Sequence, residues 1–558
     1  MVKVGWACAV ACAVSTVVGL GCAPDRGEGL PGLVPQFHGE DKLGWARASL
    51  QADEVRAGLE VRWSSGVLDP AQVDGAEVEA RVYASPLLAD GIVFVASSSG
   101  WVYALDTGAE GATRWRTQLG TPIPVDRLDG GVPLGVLSTP VLRGDTLYVV
   151  SLDARAGWLA YALDVADGEV QPGWPVVLDA QSVERANRGG AATFLRPEQM
   201  SQRGALALSP DGERLYVPFG TFWGEGAGWM VELDTTSASI AASFASAPET
   251  QGRGSGGIWG AGGPLVLPSG EVLAATGNAP AQTESMPGVW GSSLLALEPG
   301  LSGGRHYTPF NYCVLDEFNM DLGASQALVL PDTSLVAMGG KQGTVYLIDL
   351  ETLAPMGNAR PPCRTQADTD DSLLPPGVQP QYGTRGPLSV FGPYSDVFGE
   401  IDHAKMRSRL AYYADEDGAV LFASGSTKAS PSSTTSVPPS VIRLRVVEED
   451  AAPYLAVDAA NLEVAMLNPG SPVVSSGPNG APVVWVLDRN APRVAPLLDP
   501  ATPEPILYAF DGRTLELLWQ SPEGLLGPGG KYVTPLVAGD TVVVATDRVQ
   551  ALSIRMPG

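Results

Sequence analysis

The sequence has little of several features on which common enzyme mechanisms depend. Its 558 residues include three histidines, His38, His306 and His403, and contain neither an H-E-x-x-H nor a G-x-S-x-G motif. A histidine-dependent hydrolase is therefore disfavoured. The chain also lacks the Gly-x-x-x-x-Gly-Lys-Ser/Thr pattern that cradles phosphates, and the C-x-x-C-H motif that attaches haem.

Positive charge is scarce as well. The chain carries 35 Lys and Arg against 61 Asp and Glu, a formal net charge of −26 at pH 7. Nucleic acids and anionic membrane surfaces attract basic proteins, so we expect no nucleic-acid partner. Beyond residue 20 no apolar run reaches the roughly 18 residues that span a bilayer, so any membrane attachment would be through an anchor.

The N-terminal segment is typical of an export signal. Lys3 supplies a positive charge, Val4 to Leu20 is apolar, and Cys22 follows a glycine. The Gly-Cys pair resembles the cleavage site of bacterial lipoproteins, which predicts lipidation of Cys22; an ordinary signal peptide cut elsewhere is the alternative. We interpret residues 1–22 as the signal and residues 23–58, rich in Gly, Pro and charge, as a tether with an irregular wrap.

What the chain does have is glycine (67), proline (47) and many short apolar runs. The stretch from Gly256 to Leu350 contains two rounds of one pattern, in which a small-residue segment leads into successive apolar runs separated by turns. Runs of four to seven apolar and β-branched residues bounded by Gly, Pro, Ser or Asp indicate strands. A recurring unit of short strands must stack on copies of itself to bury its faces.

Eight such units follow one another along the chain, the sixth of them degraded. The eighth ends one strand short, and Leu59 to Trp63 is a strand without a hairpin partner, so pairing of these two would close a ring. We therefore predict an all-β protein, an eight-bladed β-propeller of four-stranded antiparallel blades over residues 59–558, closed by its N- and C-terminal strands. A solenoid is the alternative, but its repeats are usually shorter and need polar caps.

The repeats resemble those of pyrroloquinoline quinone (PQQ) enzymes. Units ending in Y-A-L-D or Y-A-F-D with an outer tryptophan, such as Trp115, cover most of residues 81–554. The ordered segments GGIW, TGN, YTPFN, DLGAS and GGKQGTVYLID are similar to those of exported bacterial quinoprotein-like propellers. The resemblance implies a PQQ cofactor and a calcium ion.

Three residues match the cofactor positions that the resemblance implies. Trp259 would form the floor under the quinone, Asn278 would be a calcium ligand, and Lys341 would contact the quinone oxygens. Each has a plainer interpretation: Trp259 packs a blade, Asn278 caps a turn, and Lys341 is a solvated turn residue.

Other positions depart from the family pattern. Ser292 stands where relatives often have the catalytic aspartate, and a serine cannot accept a proton at neutral pH as a carboxylate can. Glu284 is a candidate substitute base, and Glu225 lies about two positions from the expected glutamate ligand. With no haem motif, electrons would need a separate acceptor.

Two cysteines remain outside the signal segment. Cys313 and Cys363 flank the fifth repeat, and in an exported protein they could form a disulfide or remain as two free thiols. Two acidic clusters, Asp368–Asp371 and Asp415–Asp417, could bind calcium, but a solvated loop and a hairpin turn explain them more simply.

Two hypotheses on function follow. The first is a PQQ-binding propeller related to alcohol or sugar dehydrogenases, with catalysis doubtful because the expected aspartate is missing. The second is a non-catalytic binding or assembly scaffold whose partner is an envelope protein. In either case we expect an exported monomer, periplasmic or held at the outer membrane by a lipid on Cys22.

Overall fold

The structure, a computed structural model, describes most of the chain as short antiparallel strands. The described residues are 29–73, 75–124, 133–221, 226–248, 256–279, 286–341, 343–357, 359–363, 389–391, 406–426, 440–448, 453–477, 481–491 and 503–555. Cys22, Glu225, Glu284 and the cluster at 368–371 lie outside them.

Each blade is an antiparallel sheet whose strands pair in chain order from the innermost outward. Blades 1 to 4 consist of Leu87–Ala89, Ile92–Ala96, Trp101–Asp106 and Ala112–Gln118; Val141–Arg143, Thr146–Asp153, Gly157–Asp164 and Val176–Val177; Ala207–Leu208, Arg214–Thr221, Trp229–Asp234 and Ser239–Ala245; and Leu265–Val266, Val272–Ala275, Leu294–Leu297 and Gly304–Tyr307.

Blades 5 to 8 repeat the arrangement, and the eighth takes its outermost strand from the start of the chain. They consist of Leu328–Val329, Leu335–Gly339, Val345–Asp349 and Ser389–Phe391; Ala411–Asp415, Gly418–Ser424, Val441–Val447 and Tyr454–Ala460; Val473–Ser476, Val483–Asp488, Ile506–Asp511 and Leu517–Gln520; and Leu536–Ala538, Thr541–Ala545, Val549–Ile554 and Leu59–Ser64.

Short elements connect or extend the blades. The additional strands are Trp45–Arg47, Ala71–Val73, Ala76–Val78, Ile123–Pro124, Pro133–Leu134, Met200–Ser201 and Ala354–Pro355. The α-helices are Ala52–Ala57, Ala180–Arg185 and Tyr312–Glu317, and the 3-10 turns are Thr107–Ala109, Pro197–Gln199, Pro299–Leu301, Leu322–Ala324 and Leu350–Thr352. None of the helices in the described part of the chain is long and apolar enough to cross a membrane.

The hydrophobic core lies between blades. Each pair of neighbouring blades shares one cluster of buried side chains. The last and first blades share one too, in which Val543 and Val549 pack with Val93 and Leu105. The ring is therefore closed, and the predicted eight-bladed propeller is confirmed.

The closing strand forms as the sequence predicts. Leu59 pairs with Ile554 and Ser64 with Gln550, with one register shift between Val61 and Trp63. This pairing completes the fourth strand of the last blade with a segment that precedes the first blade, so hydrogen bonds hold the ring closed at that point.

Outer tryptophans fix the spacing between blades. Trp63 packs against Gly111, and Trp115 of blade 1 packs against Gly168 of blade 2, where a Cβ atom would lie 2.4 Å from a ring carbon in each case. Trp115 also donates from Nε1 to the Val165 carbonyl at 2.8 Å. Both glycines have φ of 75°, so they supply the left-handed turn as well as the space that the indole needs.

Residues 29–50, here called the leader, run along the axis of the ring. Val34 pairs with Leu88 of blade 1, and Trp45–Arg47 pairs in parallel with blade 7 from Val474 to Ser476. The Leu43 carbonyl accepts from Tyr412 of blade 6 at 2.8 Å. The leader thus bonds to innermost strands and fills the channel, where the sequence predicts only a tether and an irregular wrap.

Candidate functional site

The direction of the innermost strands defines two ends of the channel. All of them start at the same end, here called the upper end, and finish at the lower end. In an antiparallel blade the loop between the second and third strands returns to the upper end. Trp259 and Tyr532, which precede innermost strands, therefore lie at the same end as Asn278 and Lys341, which occupy such loops.

Trp259 is the aromatic centre of the upper end. The Arg203 guanidinium carbon lies 5.0 Å from the Trp259 ring centroid, and Lys341 Nζ lies 4.9 Å from it. Arg203 also lies 5.1 Å from the Tyr532 ring, so it is held between two aromatic side chains from blades 4 and 8. Such cation–π contacts stabilise a cation at an aromatic face by ~0.5–2 kcal/mol each.

Glycines allow the tryptophan to take this position. A Cβ atom on Gly220 would lie 2.8 Å from Trp259 Cβ, and one on Gly277 would lie 3.1 Å from Trp259 Nε1. The glycine of the T-G-N segment is therefore explained by the indole that it faces. The sequence order of the two segments gives no hint of this contact.

A hydrogen-bonded chain of polar side chains surrounds Lys341. Its Nζ donates to Asp321 Oδ2 at 2.5 Å and to Asn319 Oδ1 at 2.6 Å. Asn278 Nδ2 donates to the same Asn319 oxygen at 2.8 Å. Asp321 is 1 % exposed, so its carboxylate and the Lys341 ammonium form a buried ion pair.

Two buried oxygens at this place have no hydrogen-bond partner. They are Oδ1 of Asn278 and Oδ1 of Asp321, atoms of the kind that a hard cation such as calcium prefers. However, the Asp321 carboxylate is already paired with an ammonium, and no group of three His, Cys, Asp or Glu residues within the described segments could hold a metal ion. A calcium ion at Asn278 therefore stays a prediction.

Ser292 lies beside a carboxylate that sequence reasoning missed. It is fully buried with φ of 47° and donates from Oγ to Asp316 Oδ1 at 2.6 Å. Asp316 Oδ1 also accepts from the Ala279 N–H at 2.9 Å, and its other oxygen pairs with Arg360 at 3.0 Å. Burial raises the pKa of Asp316 to about 6, against the opposing effect of Arg360. Asp316 thus fixes the loops of blade 4 rather than facing a ligand.

Cys313 and Cys363 form a disulfide whose Cα atoms are 6.0 Å apart. The loop that it closes contains Asn319, Asp321 and Lys341. Arg360, three residues before Cys363, lies 3.9 Å from the Tyr312 ring centroid and ties the same segment to blade 4. The disulfide therefore closes a covalent loop that carries three of the polar residues of the upper end.

The structure brings together the three residues that the resemblance singles out and adds four others. Trp259, Asn278 and Lys341 meet at the upper end, while Glu284 and Glu225 lie outside the described residues. The additions are Arg203, Asn319, Asp321 and Tyr532. Asp321 is the first residue of the DLGAS segment, so its place in that motif could have identified it. No sequence motif pointed to Arg203 or Tyr532.

A protein-family model matches the chain over more than half of its length. Residues 55–352 match a PQQ-repeat family model described as outer membrane protein assembly factor BamB. A search of curated proteins found no match.

Solved structures are similar over almost the whole chain. Quinohemoprotein alcohol dehydrogenase from Comamonas testosteroni is 16 % identical with a TM-score of 0.56, and the match covers 94 % of this chain and 82 % of that one. The quinohemoprotein alcohol dehydrogenase ADHIIG from Pseudomonas putida HK5 is 14 % identical (TM-score 0.56; 96 % and 84 % covered). A europium-containing methanol dehydrogenase is also 14 % identical (TM-score 0.56; 92 % and 90 % covered). At these identities the likeness shows the fold.

Proposed function

Because this chain belongs to the PQQ-repeat family whose model is described as outer membrane protein assembly factor BamB, we propose that it is an envelope propeller that binds a flat, anionic ligand of the PQQ type at its upper end. The ligand is held without turnover. The observation that carries this proposal is the convergence of Arg203 and Lys341 on the face of Trp259.

The chemistry of the upper end suits a planar anion. PQQ, when bound, is a two-electron redox group with three carboxylates on a fused aromatic ring. An indole face offers a surface for such a ring, and an arginine offers paired N–H donors to a carboxylate. Tyr532 holds Arg203 in place by its second cation–π contact.

The absence of turnover is supported by the state of the carboxylates. Both oxygens of Asp316 are engaged by Arg360, Ser292 and Ala279, and Oδ2 of Asp321 is bonded to Lys341, whereas Oδ1 of Asp321 has no hydrogen-bond partner. A general base must be within reach of the proton that it removes and free to accept it. Asp321, through its unpartnered Oδ1, and Glu284 are retained as candidate bases, to be tested directly.

The decisive measurement is titration of the purified protein with PQQ, with and without calcium, followed by tryptophan fluorescence and by calorimetry. We expect saturable binding of one PQQ, independent of calcium, and a loss of at least about tenfold in affinity for Trp259→Ala. Trp101→Ala is the matched control, because Trp101 also carries an arginine, Arg116, at 5.2 Å but lies in blade 1.

Dye reduction distinguishes this proposal from a dehydrogenase. We expect no reduction with PQQ, calcium and a panel of primary alcohols or sugars. Turnover that is abolished in Glu284→Gln would show that the protein is a dehydrogenase instead. PQQ binding that does not saturate would contradict the proposal of a PQQ-type ligand.

The second candidate function is an assembly scaffold at the cell envelope, favoured by the family model. Its partner would be another envelope protein, and export with lipidation of Cys22 would place the chain there. Membrane fractionation and the mass of the mature N-terminus, compared with Cys22→Ala, test the anchor; in-cell crosslinking to a defined envelope protein that survives Trp259→Ala would favour the scaffold.

A further inference from the structure

A buried arginine lies in the channel without a counter-ion in contact with it. Arg409, which precedes the innermost strand of blade 6, is 2 % exposed. Its Nε and Nη1 atoms are buried without a hydrogen-bond partner, and no carboxylate among the described residues forms an ion pair with it. Buried polar groups are nearly always bonded, and a buried charge is costly unless it is paired. The guanidinium therefore calls for a partner that the described part of the chain does not supply.

Other buried arginines of the protein are paired. Arg360 bonds to Asp316 at 3.0 Å, and Arg81 bonds to Glu79 at 2.7 Å. Both pairs follow the rule that a buried cation is accompanied by a carboxylate, because an unpaired charge loses its hydration without compensation. Arg409 departs from this rule, so its lack of a partner is particular to its place in the channel.

The carboxylate of Asp41 acts on Arg409 without contacting it. Burial lowers the pKa of Arg409 to about 9, and the charge of Asp41 opposes that effect. Asp41 lies at an exposed position, and its Oδ1 accepts from the Leu43 N–H at 3.0 Å. With a pKa of about 9 the guanidinium keeps its proton at pH 7, so a full positive charge stays buried in the channel.

Lys42 of the leader brings a second buried cation to the same place. It is 2 % exposed, and its Nζ donates to the Pro264 carbonyl at 2.6 Å, which uses one of the three donors of an ammonium. A Cβ atom on Gly262 would lie 2.9 Å from Arg409 Cδ. The two cations therefore meet at residues 262–264, and the charge of Arg409 lowers the pKa of Lys42.

An anion suits this place better than a water molecule. Water could accept from the donors but would leave the charges unmatched, whereas an anion is attracted by the positive potential between two cations. The backbone that carries the donors is fixed. The Arg409 N–H donates to Ser471 Oγ at 2.9 Å, and Lys42 has φ of 56°, a conformation that persists only where its surroundings hold it.

We propose that one small monovalent anion, chloride, binds between the Arg409 guanidinium and the Lys42 ammonium and fastens the leader to blades 4 and 6. A Cβ atom on Gly262 would also lie 3.4 Å from Gln326 Cβ, and this close packing around the Arg409 side chain favours a single-atom anion over a polyatomic one. The site shares no side chain with the Trp259 site and does not depend on whether the upper end holds PQQ.

Thermal unfolding of the purified protein tests the proposal, with sodium gluconate replaced stepwise by sodium chloride or bromide at constant ionic strength. A ligand that binds the folded chain raises the melting temperature as its concentration rises. We expect a saturable rise with chloride and bromide and no such rise in Arg409→Met. In Lys42→Met the concentration at half-saturation should be at least about tenfold higher, which keeps the test usable if Arg409→Met does not fold.

A control variant and a direct view of the ion complete the test. Arg203→Met is the matched control, because Arg203 lies against Trp259 at the upper end; its chloride dependence should equal that of the parent. Crystals grown in bromide should show an anomalous peak beside the Arg409 side chain. A peak without chloride-dependent stability would identify an adventitious ion only. That result, equal stability in chloride and gluconate, or a chloride dependence that persists unchanged in Arg409→Met or Lys42→Met would overturn the proposal.

Discussion

The channel buries a lysine in each of two regions, and the two differ in their partners. Lys341, at the upper end, has the Asp321 carboxylate at 2.5 Å and the Trp259 ring beneath it. Lys42, in the leader, is 2 % exposed and donates to the Pro264 carbonyl at 2.6 Å. Burial lowers the pKa of Lys42 well below its usual value, and the charge of Arg409 lowers it further.

The difference shows how each region obtains its order. At the upper end a charge is matched by a charge, so removing either partner leaves the other buried and alone. In the leader the backbone supplies the order, through bonds such as Tyr412 N–H to Leu43 and Val474 N–H to Gly44. The leader therefore buries Lys42 and His38 beside Arg409, which precedes blade 6, with Asp41 as the carboxylate that acts on Arg409.

Removal of the disulfide at the upper end should have the largest effect on the free energy of unfolding. Replacing both Cys313 and Cys363 by Ser should lower the free energy of unfolding by about 4 kcal/mol, because a loop of this length gains that much freedom in the unfolded chain. Urea unfolding of the oxidised protein and the double variant measures it. The loss should also weaken PQQ binding, since the loop carries upper-end residues; an unchanged PQQ affinity would show that those residues keep their positions without the disulfide.

Lys341→Met is expected to rank second. It leaves the Asp321 carboxylate buried without its counter-charge and should cost about 3 kcal/mol of stability at pH 7. Adding Asp321→Leu should restore part of the loss, because a buried pair replaced by apolar side chains is often tolerated. A single variant as stable as the parent would show that the pair is not isolated from water.

Lys42→Met, the same substitution in the leader, should change stability by less than about 1 kcal/mol at pH 7, because the lost hydrogen bond is offset by removal of a desolvated cation. Its signature is a pH dependence. The folded pKa lies below the unfolded value of 10.5, so between them the unfolded chain binds more protons and the parent gains stability as pH rises. In urea unfolding, the free energy of unfolding of the variant should rise less between pH 7 and 10 than that of the parent. An unchanged slope would show that a group other than Lys42 causes the pH dependence.

Much of the fold could be predicted because each blade is local in sequence. Asp90-Gly91 is a turn of the expected kind, with φ of 48° and 73°, and Asp415–Asp417 joins two paired strands. The closing strand was predictable because Leu59–Trp63 had no neighbour to pair with. Even the sixth unit, weak in sequence, forms a complete four-stranded sheet.

The leader could not be predicted in the same way. Its Gly, Pro and charged residues show no alternation of apolar and polar positions of the kind that predicts a strand. Its one strand, Trp45–Arg47, is three residues long. Its position depends on hydrogen bonds to strands more than 400 residues away, such as Val474. Composition alone makes such a segment look like a linker.

The upper end was predictable only in part. The family resemblance supplied Trp259, Asn278 and Lys341, but not Arg203 or Tyr532. Arg203 reaches Trp259 from the neighbouring blade 3, and Tyr532 reaches Arg203 from blade 8, which ring closure places within range. The pairing of Lys341 with Asp321 was also hidden, because twenty residues and two strands separate them in the sequence.

The route of the leader sets how the protein would stand on a membrane. Leu30 bonds to Thr107 and Gly29 packs on Gly91, both at the lower end. From Cys22 to Gly29 the chain can extend at most about 25 Å. A lipid on Cys22 would thus keep the lower rim close to the bilayer and turn the Trp259 face outward, toward the aqueous compartment and whatever diffuses through it.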